Sequence, residues 1–430
     1  MKKIKLSVCV LLLLGVNAYA QKTNNTDVFD GDRLFATVKK FVSLGIHRTG
    51  TSTDYATSAW LATELKSYGY KVNYLEFPLK QFFLDKASVS AAGQEIAAFP
   101  LWYVNDQDQK SLNVDGVLVD AQSATPGTDL HNKIALIRIK GSGQLDAIGI
   151  KALQSLIATG AKGIVAITEN ISGEIVASNA QKDNKPWAVP VVFVAPKDSA
   201  KLLASINKTV NITVKGTFRQ VKARNVYGTI GNGSEYVVVS TPISGWFTCG
   251  GERGPGIATW LVLAKWAAAA KLPYTFVFTG NSGHELAGLG ANAFLDQLAP
   301  PANKTRLWVH LGAGIATLQW QQTPNGLKKL DIVDSKRTII YTPALKNAFE
   351  AAFKNVEANK REVKGEPVGE LVYVAKKGYQ NYAGAAYTHP YFHVHTDDAN
   401  TTSPAILQEI ALAFKNFIAL DLNQAKQASR

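Results

Sequence analysis

The chain has 430 residues, 46% of them hydrophobic and 18% charged, with 46 Lys and Arg against 33 Asp and Glu. That balance excludes a disordered chain, which needs low hydrophobicity and high charge, and it excludes collagen-like and coiled-coil classes. The formal charge of +13 is scattered, with no zinc-finger spacing and no basic recognition helix, so it implies a solvated basic surface and no nucleic-acid partner.

Residues 1–20 place Lys2, Lys3 and Lys5 before an apolar run, and Ala18-Tyr19-Ala20 supplies small residues for cleavage. This pattern is a secretory signal peptide cut near Ala20, too short and wrongly flanked for a membrane span. The expected location is periplasmic or secreted, with no stable membrane anchor. Cys9 leaves with the leader, so Cys249 is the one cysteine of the mature chain and an intrachain disulfide is excluded.

Phe35 to Gly69 reads as helix, with Trp60, Leu61, Leu65 and Tyr68 at helical spacing, followed by a short strand over Lys71 to Phe77. Short apolar runs then alternate with Asp, Gly and Asn: 116–120, 134–137, 163–167 and 189–194 read as buried strands, and 147–159 as a helix. Residues 95–222 are therefore expected to form a small α/β unit inserted into a larger α/β domain, made of 21–94 and 223–430. Asn225 to Ile230 restarts the main sheet. Beyond it, strands at 236–239, 274–278 and 307–311 alternate with helices at 254–270 and 286–298, the pattern of a mixed, mostly parallel sheet flanked by helices. A last amphipathic helix carries Ile406, Leu407, Ile410, Phe414, Phe417 and Ile418.

In such sheets ligands sit beyond the carboxyl ends of the strands. The first of the three strands leads to Ser240-Thr241-Pro242 and then Cys249-Gly250-Gly251-Glu252-Arg253, the second to Gly283-His284-Glu285, and the third ends at His310. Near the C-terminus lies His389-Pro390-Tyr391-Phe392-His393-Val394-His395-Thr396-Asp397-Asp398, and five of the seven histidines fall between 284 and 395. Carboxylates and imidazoles gathered at one sheet edge suit a transition metal such as zinc. The sequence has no H-E-x-x-H, G-x-S-x-G, Walker or G-x-G-x-x-G motif, because Gly288 occupies the place of the second histidine after His284-Glu285.

The order of these elements and the segments Tyr236 to Lys265, His284 to Asn292 and His393 to Pro404 resemble the secreted zinc aminopeptidases of the bacterial leucyl aminopeptidase and glutamate carboxypeptidase type, over nearly the whole mature chain. The inserted unit looks like their protease-associated domain. That family holds two zinc ions, and carrying its site over is informative for its departures. The first His falls on Pro242 and a nearby Asp position on Ser244; the bridging Asp falls on Glu252; the general-base Glu falls on His284 and the adjoining zinc ligand on Glu285; the next Asp falls on His310; the closing His falls on His393, with His395 as a shifted alternative. Proline cannot bind zinc. The resemblance implies a remodelled hydrolase with at most one zinc, held by Glu252, Glu285, His310 and His393, with Asp397 and His395 orienting the site from behind. In this reading His284 relays a proton and Arg253 stabilises developing negative charge. The substrate is expected to be a peptide, an amide or a related small molecule.

Two other readings stay open. Cys249, beside a helix start and Arg253, has a setting that lowers a thiol pKa, and with His284 or His310 as base it is a candidate nucleophile of a metal-free enzyme, acting on an amide or a glycan. Alternatively the protein is a silent binder whose cleft is lined by Trp246, Trp260 and Trp308.

Overall fold

The computed structural model describes residues 27–105, 112–122, 128–183, 185–324 and 326–428. The expected leader, residues 1–20, lies outside the described residues, and among these no helix is long and apolar enough to cross a membrane.

The expected single helix over 35–69 is two: α1 (Gly31–Ser43) and α2 (Ser52–Ser67). The reason is local. Gly45 and Gly50 adopt positive φ of 111° and 73°, and the Thr51 side chain accepts a hydrogen bond from the Asp54 amide, starting a new helix. The loop between them, 44–51, becomes part of the site.

Next come β1 (Lys71–Ala91), β2 (Gln94–Pro100), β3 (Leu112–Asp120), β4 (Lys133–Lys140), α3 (Ala147–Ala158), β5 (Gly163–Glu169), β6 (Val191–Val194), α4 (Ser199–Leu203) and β7 (Thr209–Ile230). The strand expected over 71–77 is 21 residues long, and the expected restart at 225–230 is the end of a 22-residue strand. These two long strands pair antiparallel from Lys71↔Thr229 to Ser90↔Asn211. Because β1 also pairs with β2 and β7 with β3, the order β1-β2-β6-β5-β4-β3-β7 closes on itself. Every residue of β6 is buried, as is all of β5 except Glu169, which explains their unbroken apolar runs.

The second half contains β8 (Tyr236–Pro242), α5 (Gly254–Ala270), β9 (Thr275–Asn281), α6 (Leu289–Gln297) and β10 (Thr305–Leu311). After these come β11 (Leu318–Thr323), β12 (Gly326–Val333), β13 (Thr338–Tyr341), α7 (Lys346–Ala352), β14 (Asn359–Glu362), α8 (Leu371–Lys376), β15 (Tyr382–Ala385) and α9 (Pro404–Ala428). The sheet continues from β7 as β9-β8-β10-β15-β13-β14, while β11 and β12 form a separate hairpin. β8 runs parallel to both β9 and β10, with Pro242 opposite Asn281 and Ser240 opposite His310, so the three strand ends lie side by side. Helix α5 is buried on every face through its first eleven residues, Gly254–Ala264, and packs with α1 and α9 in the largest core cluster. Its Trp260 is fully buried and donates its indole N–H to the Val239 carbonyl at 3.0 Å. A buried aromatic of this kind contributes about 1.5–3 kcal/mol, so the strand end that carries the site rests on a rigid base.

Candidate functional site

The loop after β8 turns sharply to reach α5. Gly250 and Gly251 permit the turn because a Cβ at either would stand 2.1 Å from the Asp398 carbonyl carbon or 2.2 Å from Thr401 Oγ1. That approach lets the Asp397 carboxylate accept from the Gly251 amide at 2.8 Å and the Glu252 amide at 2.9 Å. Asp397 therefore orients Glu252 through its backbone. Burial, and then the charge of Glu252, push the Asp397 carboxyl well above its ordinary pKa.

Glu252 is 1% exposed and meets two cationic partners. Arg253 Nη2 lies 2.7 Å from its Oε1, and His393 Nε2 lies 3.2 Å from the same oxygen. Burial opposes ionisation of Glu252, but Arg253 and then His393 overcome it and hold the carboxyl far below its usual range. Arg253 is itself buried, with Nε donating to the Ser244 carbonyl at 2.9 Å. His393 sits at φ 59°, and its Nδ1 lies 2.9 Å from the Ala177 carbonyl, which can only accept. Nδ1 therefore carries a proton, and Nε2 is the nitrogen presented to Glu252.

Glu285 takes other partners, sharing Ser244 with Arg253. Its Oε1 accepts from the Thr49 amide at 2.9 Å and the Thr49 hydroxyl at 2.5 Å, and its Oε2 accepts from the Ser244 hydroxyl at 2.7 Å. The 44–51 loop supplies Thr49, and the loop is anchored by His47, which stacks on Phe41 at 3.7 Å and bonds Thr57 and the Phe41 carbonyl. Burial lowers the His47 pKa to about 3.

His284 belongs to a third cluster. Its Nδ1 lies 3.0 Å from Glu370 Oε1, and the imidazole keeps 17% exposure while Glu370 keeps 3%. Burial raises the Glu370 pKa, but the bond and charge of His284, with His310 and Arg253, bring it below the ordinary value. His310 is fully buried with Nδ1 3.0 Å from Ser240 Oγ, and burial lowers its pKa to about 4. His284, His310 and Glu370 share the wall of a cavity of about 620 Å³ with Tyr373, Tyr387 and Phe392, a size that suits a small ligand.

The expected site is thus divided. Glu252, Arg253 and His393 come together, with Asp397 behind them; His284 and His310 meet at the cavity around Glu370, within reach of the Arg253 charge; Glu285 is hydrogen-bonded by neutral donors and joined to Arg253 through Ser244. His395 is exposed against Phe247, 6.3 Å between ring centroids, and does not reach Glu252. Cys249 is 1% exposed at φ 54°, and its thiol donates to the Phe247 carbonyl. Burial and the charge of Glu252 raise its pKa well above the usual value in spite of Arg253, so the electropositive setting expected of a nucleophile is reversed. Trp246 and Trp308 are fully buried, as is Trp260, and none of the three lines the cavity. Glu370 and Thr49 are the residues that sequence reasoning missed.

The donor set does not fit a zinc centre. Among the described residues no group of three or more His, Cys, Asp and Glu side chains is arranged to hold a metal ion, whereas zinc takes three or four protein ligands. Glu252 and His393 keep the pose of a ligand pair, yet the Arg253 guanidinium lies against the same carboxylate oxygen. Both oxygens of Glu285 are already hydrogen-bonded.

No family model and no curated protein matches the sequence. Solved structures do. A zinc aminopeptidase from Bacillus subtilis superposes with a TM-score of 0.71 at 15% identity, over 91% of this chain and 94% of that one. A peptidase M28 precursor from Shewanella amazonensis gives 0.69 at 16% identity, over 93% and 96%. An aminopeptidase from Aneurinibacillus sp. strain AM-1 gives 0.62 at 15% identity, over 91% and 94%. The chain therefore has the aminopeptidase-like fold, a mixed, mostly parallel sheet flanked by helices.

Proposed function

We propose that this chain is an exported hydrolase of short peptides or amides that works by acid–base chemistry, with Arg253 as a built-in cation beside Glu252. The observation that carries the reading is the hydrogen bond between His284 and Glu370 at the cavity wall. Glu370, kept ionised, accepts the Nδ1 proton of His284 and so leaves Nε2 as the base. In the reaction His284 Nε2 takes a proton from water as the water oxygen adds to the substrate carbonyl carbon. The same nitrogen returns that proton to the leaving amine nitrogen as the C–N bond breaks. His310, neutral and tied to Ser240, adds no competing charge below the pair. The fold shared with peptidases supports a hydrolase, and the aromatic side chains at the cavity wall support a substrate with apolar groups. Export follows from the leader, and the region 95–222 serves as the inserted wall of the cleft.

The test is turnover of leucyl amides and dipeptides by the mature protein. His284→Ala is expected to lower kcat by about 10²–10⁴, with Glu370→Gln intermediate and chelators without effect. Stoichiometric zinc whose removal abolishes turnover would replace this reading with a metallohydrolase. A wild type that binds but turns over no amide or glycoside would make the protein a binder.

A further inference from the structure

Addition of water to an amide places negative charge on the substrate carbonyl oxygen, and that oxygen needs a donor inside the cavity. Arg253, expected for this task, does not border the cavity, and both its Nη atoms are buried. Two hydroxyls at the wall are already committed: Tyr373 donates to the Ala287 carbonyl at 3.0 Å, and Tyr387 donates to Asp334 Oδ2 at 2.7 Å. His310 is placed differently. Trp308 Nε1, which can only donate, lies 2.9 Å from Ser240 Oγ, and Ser240 Oγ lies 3.0 Å from His310 Nδ1, all three side chains being buried. Among the described residues no other group accepts the Ser240 hydroxyl proton, so it is donated to Nδ1, and the ring's own proton stands on Nε2. Nε2 makes no hydrogen bond among the described residues, yet it is not sealed off as the Nε2 atoms of His389 and His393 are. His310 lines the cavity, and so does Gly312, where a Cβ would stand 3.2 Å from Nε2. The bare backbone leaves that side of the nitrogen open.

We infer that His310 is a second catalytic residue, whose Nε2–H receives the substrate carbonyl oxygen and holds the negative charge that develops there. It rests on the hydrolase reading above and adds the donor that reading lacks. His284 lies on the same wall, within electrostatic reach of His310. As His284 Nε2 takes a proton from water, the water oxygen bonds to the carbonyl carbon and the carbonyl π pair moves onto oxygen. His310 keeps its proton throughout and donates a hydrogen bond to that oxygen. The pair returns to re-form the carbonyl as the C–N bond breaks and His284 protonates the leaving nitrogen. The chain from Trp308 through Ser240 holds the ring in the tautomer that this task needs, before substrate arrives, so no reorganisation is left to the reaction itself.

The experiment reads the ring and the rate separately. Nitrogen-15 spectra of the histidine-labelled mature protein, with His310→Gln assigning the resonance, are expected to show His310 protonated at Nε2, and that proton should shift when leucyl amide is added to saturation. A proton on Nδ1, or an Nε2–H that saturating leucyl amide leaves unmoved, overturns the inference whether or not any amide is cleaved. In turnover, His310→Leu is expected to lower kcat by about 10²–10³, the loss on removing one oxyanion donor, with KM little changed. His310→Gln, which keeps an N–H in the place of Nε2, should recover part of that loss. A His310→Leu variant that melts like the wild type and keeps its kcat overturns the inference and leaves His284 as the base. A wild type that binds leucyl amide without cleaving it overturns the hydrolase reading, and the Nε2–H shift then decides His310 as a carbonyl donor. Leucyl amide that neither binds nor is cleaved overturns both.

Discussion

Glu252 and Glu285 are equally buried, at 1% exposure each, and are kept in opposite ways. The hydrogen bonds to Glu285 all come from neutral donors, three from Thr49 and Ser244, with the Arg48 charge in range. Glu252 has no hydrogen bond of good geometry to either oxygen among the described residues and depends on the charges of Arg253 and His393. The contrast shows two ways of holding a buried carboxylate. Where neutral donors reach, they solvate the anion. Where they do not, a permanent cation takes over, and Arg is suited to it because its guanidinium stays charged when buried. The part left open to a ligand is neither of these two, but the His284 and Glu370 pair at the cavity wall.

The largest effect should come from removing the cation. Arg253→Met leaves the buried Glu252 carboxylate with His393 alone beside it, which costs about 3–5 kcal/mol, read from urea unfolding. Glu252→Gln/Arg253→Met should recover most of that loss, since neither charge is then stranded. A pair of variants whose effects simply add would break the account of Glu252. Smaller losses are expected at Glu285, where neutral donors share the task. Ser244→Ala and Thr49→Val should each cost about 1.5–3 kcal/mol, the range for a hydrogen bond to a charged group, and neither should strand a cation.

The loop that delivers Thr49 gives a pH signature. His47 is neutral when folded because burial lowers its pKa to about 3, from 6.5. Its contribution to stability is therefore complete above pH 6.5 and lost as pH falls toward 3, at up to about 1.4 kcal/mol per pH unit. Asp54 works the other way: burial raises its pKa to about 7, so its contribution is present in acid and lost as pH rises through 7. His47→Gln leaves Asp54 in place. The unfolding free energy of the variant relative to that of the wild type should rise by about 2 kcal/mol between pH 7 and pH 5, whatever the common Asp54 contribution does. Equal slopes would mean that His47 is not held neutral.

Much of the fold was legible because the sheet's strands and α5 announce themselves locally. Helix α5 begins and ends where the sequence places it, at Gly254 and Ala270, and β10 ends at Leu311 as read. The break between α1 and α2 was also written in the chain, in Gly45, Gly50 and the capping Thr51, but the apolar spacing from Phe35 to Tyr68 outweighed it. Glu252 with Arg253 and His393 was legible, but the partners of Glu285 and His284 were not. Thr49 and Glu285 are 236 residues apart, and His284 and Glu370 are 86 apart, so no local pattern links them. Cys249 failed for a different reason. Its sequence neighbours include Arg253, but desolvation at 1% exposure outweighs one nearby cation, and the sequence does not state the burial.

The smallest effect belongs to an exposed pair that stands closer than Arg253 and Glu252. Lys86 Nζ lies 2.5 Å from Glu95 Oε2 on the hairpin of β1 and β2, nearer than Arg253 to Glu252, but the side chains are 47% and 57% exposed. Water screens both charges before they meet, and holding two long side chains together costs conformational entropy. Lys86→Ala should therefore change stability by less than about 1 kcal/mol, and by less still in high salt. The loss from Arg253→Met should persist in the same buffers, because water and ions do not reach the buried carboxylate. Comparing the two variants at low and high salt isolates burial from distance. Equal losses in both would mean that proximity alone sets the energy, and Glu252 would then need no special cation.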